Sequence, residues 1–563
     1  MAEPLLTDSR TTPPVSASHE ALMFPTLTAS QIAQIAAHGR VRPLARGDVL
    51  IEPGARVVPF FVITSGAIEI TRPSPSGEQL IAAHGPGKFT GEANMILGRR
   101  SLTRARVTEP GEAIELTRDE LQALVQTAPD VSEIVMRAFI YRRLELVAHN
   151  IGDATLVGSL HSPATLRIKE FLTRNGHPFA YLDLDRDPDV QELLDRFQVA
   201  IGDIPVLICC GTGVLRNPTN QQVADALGFN QNIDETHVRD VVVVGAGPAG
   251  LAAAVYAASE GLDVLVVESN SPGGQAGSSS RIENYLGFPL GISGQELAGR
   301  AYAQAEKFGA EILIARDATS LMCDRKPYNL ATGEDTRVRA RTVIIATGAR
   351  YRKAALDNLA QFEGAGIYYS ATPMEAQLCA GDEVVVVGGG NSAGQAAVFL
   401  SQTAARVHML VRSAGLADSM SRYLIRRIEE SPKIDLRCST EIVALEGNGR
   451  LERVAWRDNA TSQTSSRDLR HVFLMTGAVP NTAWLANCVA LDGNGFVKTG
   501  PDLSREDLDT ARWPLARPPH LLETSLPGVF AVGDVRCGNI KRVASAVGEG
   551  SIAVSFVHRV LAE

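Results

Sequence analysis

Residues 240–268 read Asp240-Val-Val-Val-Val-Gly245-Ala-Gly247-Pro-Ala-Gly250, an apolar run from Leu251 to Leu262, and Asp263-Val-Leu-Val-Val-Glu268. Four consecutive valines predict a buried strand. Gly245, Gly247 and Gly250 then fall at G-x-G-x-x-G spacing, which makes the tight turn that lets a backbone approach a pyrophosphate at a helix N-terminus. Leu251 to Ala258 continues as an apolar helix, and the second strand ends on Glu268, an acid placed to accept from a ribose hydroxyl. Strand, turn, helix, strand and terminal acid together predict a dinucleotide-binding unit.

The chain around that unit has 563 residues, too many for one core, with 45% hydrophobic and 21% charged residues. No apolar run approaches the ~18 residues that span a bilayer. Met1 to Glu20 lacks the basic and apolar regions of a leader. The expectation is a cytoplasmic protein with no membrane contact. A net charge of -9 gives no general attraction to nucleic acid. The seven cysteines (Cys209, Cys210, Cys323, Cys379, Cys438, Cys488, Cys537) are scattered, odd in number and without metal-ligand spacing. Neither a secreted disulfide framework nor a metal site is expected.

Residues 1–20 are rich in Ser, Thr and Pro and read as a disordered tail. Residues 21–150 carry a short helix from Leu27 to His38 and then brief strands at 48–52, 59–64, 67–71, 79–84 and 104–107. Helical periodicity follows over 116–147. That spacing predicts a small β-roll or jelly roll with helices. Inside it lies Phe89-Thr-Gly-Glu-Ala-Asn-Met-Ile-Leu-Gly-Arg-Arg-Ser-Leu-Thr103. The region resembles the cyclic-nucleotide-binding domain family. The resemblance puts Gly91, Glu92, Arg100 and Ser101 in the phosphate-binding cassette, with Glu92 on the ribose hydroxyl, Arg100 on the cyclic phosphate, and cyclic AMP or cyclic GMP as effector. Arg99 stands where proline is usual, and Leu102 replaces a small residue.

Residues 152–230 switch to alternating strands and helices: strand 155–160, helix 164–175, strand 179–183, helix 188–197, a strand within 202–210, and a helix over 220–227. This α/β region resembles the thioredoxin and glutaredoxin fold, with Pro205 where that family has a cis-proline. Where the family places Cys-x-x-Cys, the chain has His161-Ser-Pro-Ala-Thr165. Serine hydroxyl does not replace a thiolate in disulfide exchange. Cys209 and Cys210 read as structural.

Beyond the polar linker 231–239, Pro272-Gly-Gly-Gln-Ala-Gly277 and Ile282-Glu-Asn-Tyr-Leu-Gly-Phe-Pro289 bring glycines and amides suited to the polar edge of a flat ring. Val343-Ile-Ile-Ala-Thr-Gly348 and Gly528-Val-Phe-Ala-Val-Gly533-Asp534 are apolar strands with small-residue ends, and 541–558 reads as a closing helix. These stretches resemble the low-molecular-weight thioredoxin reductase family. The resemblance implies two Rossmann-like three-layer domains, one for FAD over 239–350 and 480–563 and one for NAD(P)H over 351–479. It puts FAD at Gly245, Gly247, Gly250, Glu268, Gly274, Gln275, Asn284, Gly348, Gly533 and Asp534.

In the second unit, Glu383-Val-Val-Val-Val is followed by Gly388-Gly-Gly390-Asn391-Ser392-Ala393, and its next strand ends on Arg412. A cation there favours a 2′-phosphate, so NADPH is preferred, with NADH as the weaker donor. Immediately upstream, Tyr369-Ser-Ala-Thr-Pro-Met374 stands where thioredoxin reductases carry Cys-Ala-Thr-Cys. Ser370 and Pro373 mark the lost dithiol, no catalytic residue replaces it, and Cys379 reads as structural. The sequence therefore predicts a multidomain FAD-dependent NADPH oxidoreductase, expected as a homodimer, that passes electrons to a small-molecule or protein acceptor under control of the N-terminal domain. From a different class, a redox or cyclic-nucleotide sensor with a slowly turning flavin core fits the same residues.

Overall fold

Strand and helix patterns close into two compact units, residues 1–151 and 152–563. The computed structural model describes residues 17–563 apart from 57, 75–76, 92–94, 96–98, 149–151, 153, 161, 187–189, 191–199, 210–212, 334–335 and 486–487.

The first unit is an antiparallel five-stranded sheet in the order Arg40–Leu44, Arg104–Leu116, Phe60–Ser74, Gly77–His84, with Val49–Ile51 paired to Arg104–Leu116. The sequence predicted separate strands at 59–64 and 67–71, but these are one strand. The register shifts around Ser65 and Ala67, where Gly66 at φ +78° is absorbed as a bulge and does not end the strand. The segment predicted as a short strand at 104–107 likewise runs on to Leu116. The helical stretch divides into Arg118–Thr127 and Pro129–Ala148 because a proline cannot continue the first helix. Phe60, Phe89 and Phe139, all buried, pack with ring centroids 5.6–6.4 Å apart.

The second unit begins with a four-stranded sheet ordered Phe179–Asp183, Ala154–Gly158, Val206–Cys209, Gly213–Arg216. Its first pair is parallel and the other two are antiparallel. The helices Pro163–Arg174 and Asn220–Ala226 cover it, and the Ile204–Pro205 peptide is cis. His161, Cys210 and all of the helix expected over 188–197 except Val190 lie outside the described residues. Phe171, Leu172, Leu227 and Phe229 of this module share one core with Ala254, Ala258 and Ile312 of the lobe that follows.

That lobe has a seven-stranded sheet ordered Glu311–Ile314, Val264–Glu268, Val238–Val244, Thr336–Ile345, Tyr328–Thr332, Ala318–Met322, with Val529–Ala531 beside Thr336–Ile345. The strands ending at Val244, Glu268, Ile314, Ile345 and Ala531 are parallel and finish at one edge. Their near-continuous valine and isoleucine content follows from burial on both faces. Helices Pro248–Ser259 and Val543–Ala562 meet at backbone distance, since a Cβ on Gly550 would lie 2.2 Å from the Ala249 carbonyl oxygen. The other lobe is a parallel sheet ordered Ile367–Tyr368, Val472–Leu474, Glu383–Val387, Arg406–Leu410, Ile434–Arg437, backed by the meander Thr440–Glu446, Arg453–Asp458, Thr464–Arg467. The chain crosses between the lobes at Ala349–Tyr351 and Ala478–Pro480, which pair antiparallel with each other.

One disulfide joins two of the scattered cysteines, a pairing that the sequence did not point to. Cys323 and Cys488, 165 residues distant in sequence, are bonded with Cα atoms 5.9 Å apart, and they pack against a core that holds Leu321 and Val489. No helix among the described residues is long and apolar enough to cross a membrane.

Candidate dinucleotide sites

Glycine spacing builds the first site at the sheet edge. Gly245 sits at φ +104°, where a Cβ would come 2.4 Å from the Ala346 carbonyl oxygen, and a Cβ on Gly250 would lie 1.8 Å from the Gly245 carbonyl oxygen. Those two glycines let the turn, the next strand end and the helix pack together. Gly247 is different: the nearest atom to a Cβ there is Gly274 Cα at 3.9 Å, so its surface is open. It caps the helix Pro248–Ser259 with no side chain over the free amides, an anion-binding arrangement.

Glu268 is buried behind this turn. Its Oε2 accepts from the Ala246 amide at 2.7 Å, and its Oε1 accepts from the Asn270 and Ser271 amides at 2.9 and 3.2 Å. Burial raises its pKa, opposed by those amides and by the nearby Arg174 cation. The following turn, Gly273 and Gly274 at φ +105° and +53°, lies against Gly247. Gln275 donates from Nε2 to the Ala349 carbonyl. Gly348 and the Gly533–Val535 turn stand at the ends of adjacent strands of the same sheet. Burial raises the pKa of Asp534, and Lys541 opposes the rise. Asn284 is exposed on the hairpin bridged at Ile282 and Ile292.

Sequence reasoning missed Glu549 and Arg174. Glu549, on the closing helix Val543–Ala562, accepts from the Gly533 amide at 2.7 Å, from Arg536 at 2.6 Å and from Asn539 at 2.9 Å, which fixes the Gly533-Asp534 turn. An acid in an otherwise small-residue helix was the available signal. Arg174 had none, because its target lies 100 residues away.

In the second lobe Gly388 is at φ +142° with Met475 oxygen 2.4 Å from a Cβ position, while a Cβ on Gly390 would have no atom closer than 4.0 Å. Asn391 Oδ1 accepts from the Ser421 amide at 2.9 Å, and Ser419 Oγ donates to the Gly389 carbonyl at 2.9 Å. Ala393 is buried in the helix Asn391–Leu400. Arg412 is exposed at the end of the second strand and makes no ion pair with a described residue.

Between the lobes is a cleft of about 50 Å³ lined by, among others, Gln275, Ser278, Tyr351, Tyr369, Ser370 and Ser392. The Tyr351 hydroxyl bonds the Ser392 side chain, and burial raises its pKa. Tyr369 donates to Glu363 at 2.6 Å, and Glu363 also pairs with Lys353 at 2.7 Å. Ser370 is therefore in the cleft, whereas Pro373 begins the exposed start of helix Pro373–Leu378. Cys379 is fully buried after that helix, and burial pushes its thiol up to about 11.

In the first unit Gly91 lies at φ +99°, Arg99 is buried and Arg100 half-buried; Glu92 lies outside the described residues. Ser101 is tied to Ala55 and Gly54 through its backbone, and its Oγ donates to the Thr103 carbonyl at 2.9 Å. Arg142, from the last helix, donates to the Met23 and Phe89 carbonyls at 2.8 and 3.3 Å and also bonds the Gly91 carbonyl.

Two dinucleotide turns on separate α/β lobes, joined by a two-stranded crossing, define a pyridine-nucleotide flavoprotein architecture. Residues 239–550 match the pyridine nucleotide-disulphide oxidoreductase family, and residues 41–128 match the cyclic nucleotide-binding domain. Thioredoxin reductase of Bacillus subtilis strain 168 is 32% identical over 333 residues, covering 59% of this chain and 97% of that protein. Crystal structures of thioredoxin reductase from Lactococcus lactis (FR conformation) and from T. acidophilum are similar with TM-score 0.51. Their identities are 26% and 29%, covering 57% and 58% of this chain and 99% of each neighbour. The chain belongs to the pyridine nucleotide-disulphide oxidoreductase family and is an FAD-dependent NAD(P)H oxidoreductase with an N-terminal cyclic nucleotide-binding domain.

Proposed function

We propose that this chain oxidises NADPH and delivers the electron pair to an acceptor other than a dithiol at positions 370 and 373. The single observation that carries this reading is Ser370 in the interlobe cleft beside Gln275, with Pro373 as the partner position and no free cysteine among the cleft residues. FAD, when bound, supplies hydride acceptance and onward electron transfer. The Gly245–Gly250 turn takes its pyrophosphate, Glu268 its ribose, and Gly274, Gln275, Asn284, Gly348, Gly533 and Asp534 line the remainder. Gly388, Gly390, Asn391, Ser392 and Ala393 hold the nicotinamide nucleotide, with Arg412 on its 2′-phosphate.

In this reading the FAD domain is 239–350 with 480–563, the NADPH domain is 351–479, and the chain works as a homodimer. Residues 152–230, whose strand order and cis Pro205 support a thioredoxin-like fold, have no dithiol for exchange. The domain over 21–150 regulates through a cyclic nucleotide on Gly91, Glu92, Arg100 and Ser101. The acceptor is a quinone, dioxygen, an iron-sulfur or flavin carrier, or a disulfide reached through a cysteine elsewhere. The test is NADPH-dependent reduction of thioredoxin in an insulin-coupled assay, beside quinone and ferricyanide as acceptors. The expected outcome is turnover with quinone or ferricyanide and none with thioredoxin; robust thioredoxin turnover that Cys209→Ser, Cys210→Ser or Cys379→Ser abolishes selects the disulfide acceptor, and no turnover with any acceptor overturns the proposal.

A further inference from the structure

The middle module has lost the sequence for dithiol chemistry, yet its helix Pro163–Arg174 ends against the segment that follows Glu268. Arg174 Nη2 donates to the Gly274 carbonyl at 2.8 Å. Asn175 Nδ2 donates to the Asn270 carbonyl at 3.3 Å, and Asn220 Nδ2 to Asn270 Oδ1 at 3.0 Å. From the other side Gln295 donates to the Thr173 carbonyl at 2.8 Å. Farther along, Arg316 pairs with Asp225 at 2.8 Å. Four of these five ties bear on residues 270–277 or on the helix end that holds them.

The segment they hold is demanding. Gly273 and Gly274 both have left-handed backbone, which costs conformational freedom that must be recovered from fixed contacts. Gly274 also packs on Gly247, the open face of the dinucleotide turn. A guanidinium on the Gly274 carbonyl fixes that peptide where Gly274 packs against Gly247. Arg174 is at a helix C-terminus, where a cation is favoured, its side chain is only 18% exposed, and its charge acts on Glu268. The apolar interface shared by Phe171, Phe229 and Ala254 makes this a seated contact.

We infer that the middle module is a wall of the FAD site, with Arg174 a positioning residue that holds the Gly273-Gly274 turn for the cofactor. The inference rests on the FAD assignment above and gives the module a role that needs no thiol. The test uses the full chain, stripped of FAD and titrated with it, read by flavin fluorescence and by the visible spectrum of the bound form. Losing a charge-assisted hydrogen bond corresponds to a loss of about tenfold or more in affinity, which is expected for Arg174→Gln with an altered flavin spectrum. Arg174→Lys, which keeps the charge, should recover part of that loss. Lys169→Ala, on the same helix but packed on Tyr181 within the module, should bind FAD like the parent. If Arg174→Gln does not fold, Gln295→Ala, at an exposed residue, carries the test with a severalfold loss. Parent-like affinity in either of these weakened variants overturns the inference alone, whereas a parent that takes up no FAD overturns it together with the FAD assignment.

Discussion

Adding one methyl group at Gly247 and one at Gly250 should have opposite consequences. Gly247 has φ -71° and ψ -177°, a backbone that alanine adopts freely, and a Cβ there meets nothing nearer than 3.9 Å. Alanine is the poorer helix cap by up to about 1 kcal/mol. It also removes freedom from the unfolded chain, worth about 0.4–1 kcal/mol in the other direction. The FAD-free protein should thus keep its stability within about 1 kcal/mol. Its FAD affinity should fall by at least about tenfold, because the methyl stands where a pyrophosphate must reach the helix amides, and one such charge-assisted bond is worth about 1.5–3 kcal/mol. At Gly250 the Cβ would sit 1.8 Å from the Gly245 carbonyl oxygen. Backbone must move, at a cost of about 1–3 kcal/mol or more, before any cofactor is added. Thermal unfolding of the FAD-free variants and FAD titration separate the two effects. Gly247→Ala with parent affinity, or Gly250→Ala with parent stability, would refute the assignment of this turn.

His84 is buried, and burial with the adjacent Arg142 cation lowers its pKa from 6.5 to about 4. The unfolded chain therefore takes up the proton first. Stability from the neutral ring is complete above pH 6.5 and is lost as the pH falls toward 4, by about 3 kcal/mol in all. A pH series of denaturant unfolding should show that slope in the first unit, and His84→Gln should remove it. Arg412→Ala should raise KM for NADPH by up to about fivefold, the scale of one exposed charge contact, and leave NADH nearly unchanged; equal effects on both donors would contradict the 2′-phosphate role. Calorimetry with cyclic AMP and cyclic GMP should give binding that Arg100→Ala removes, and absence of heat with either nucleotide would contradict an effector role for the roll.

Much of the dinucleotide architecture was legible because its signals are local. Gly245, Gly247, Gly250 and Glu268 lie within one strand-helix-strand unit, and valine runs mark strands buried on both faces. The roll was legible in kind but not in strand length, since Gly66 looks the same in sequence whether it ends a strand or bulges within it. Long-range partnerships left no trace: Arg174 reaches Gly274 across 100 residues, and Cys323 meets Cys488 across 165. Nor does local sequence say which side chains of distant segments meet: Tyr351 and Tyr369 belong to no motif, yet they line the cleft with Ser370.

Anaerobic titration of the FAD-loaded chain with NADPH bears most directly on the absence of a working dithiol. FAD takes one electron pair, and a disulfide in exchange with it takes a second. Bleaching of the flavin band should be complete at one NADPH per FAD, with no thiols gained in a parallel dithionitrobenzoate count. Consumption of two NADPH per FAD with the appearance of two new thiols would contradict it, and repeating the titration on Cys323→Ser and Cys379→Ser would show which sulfur takes the electrons.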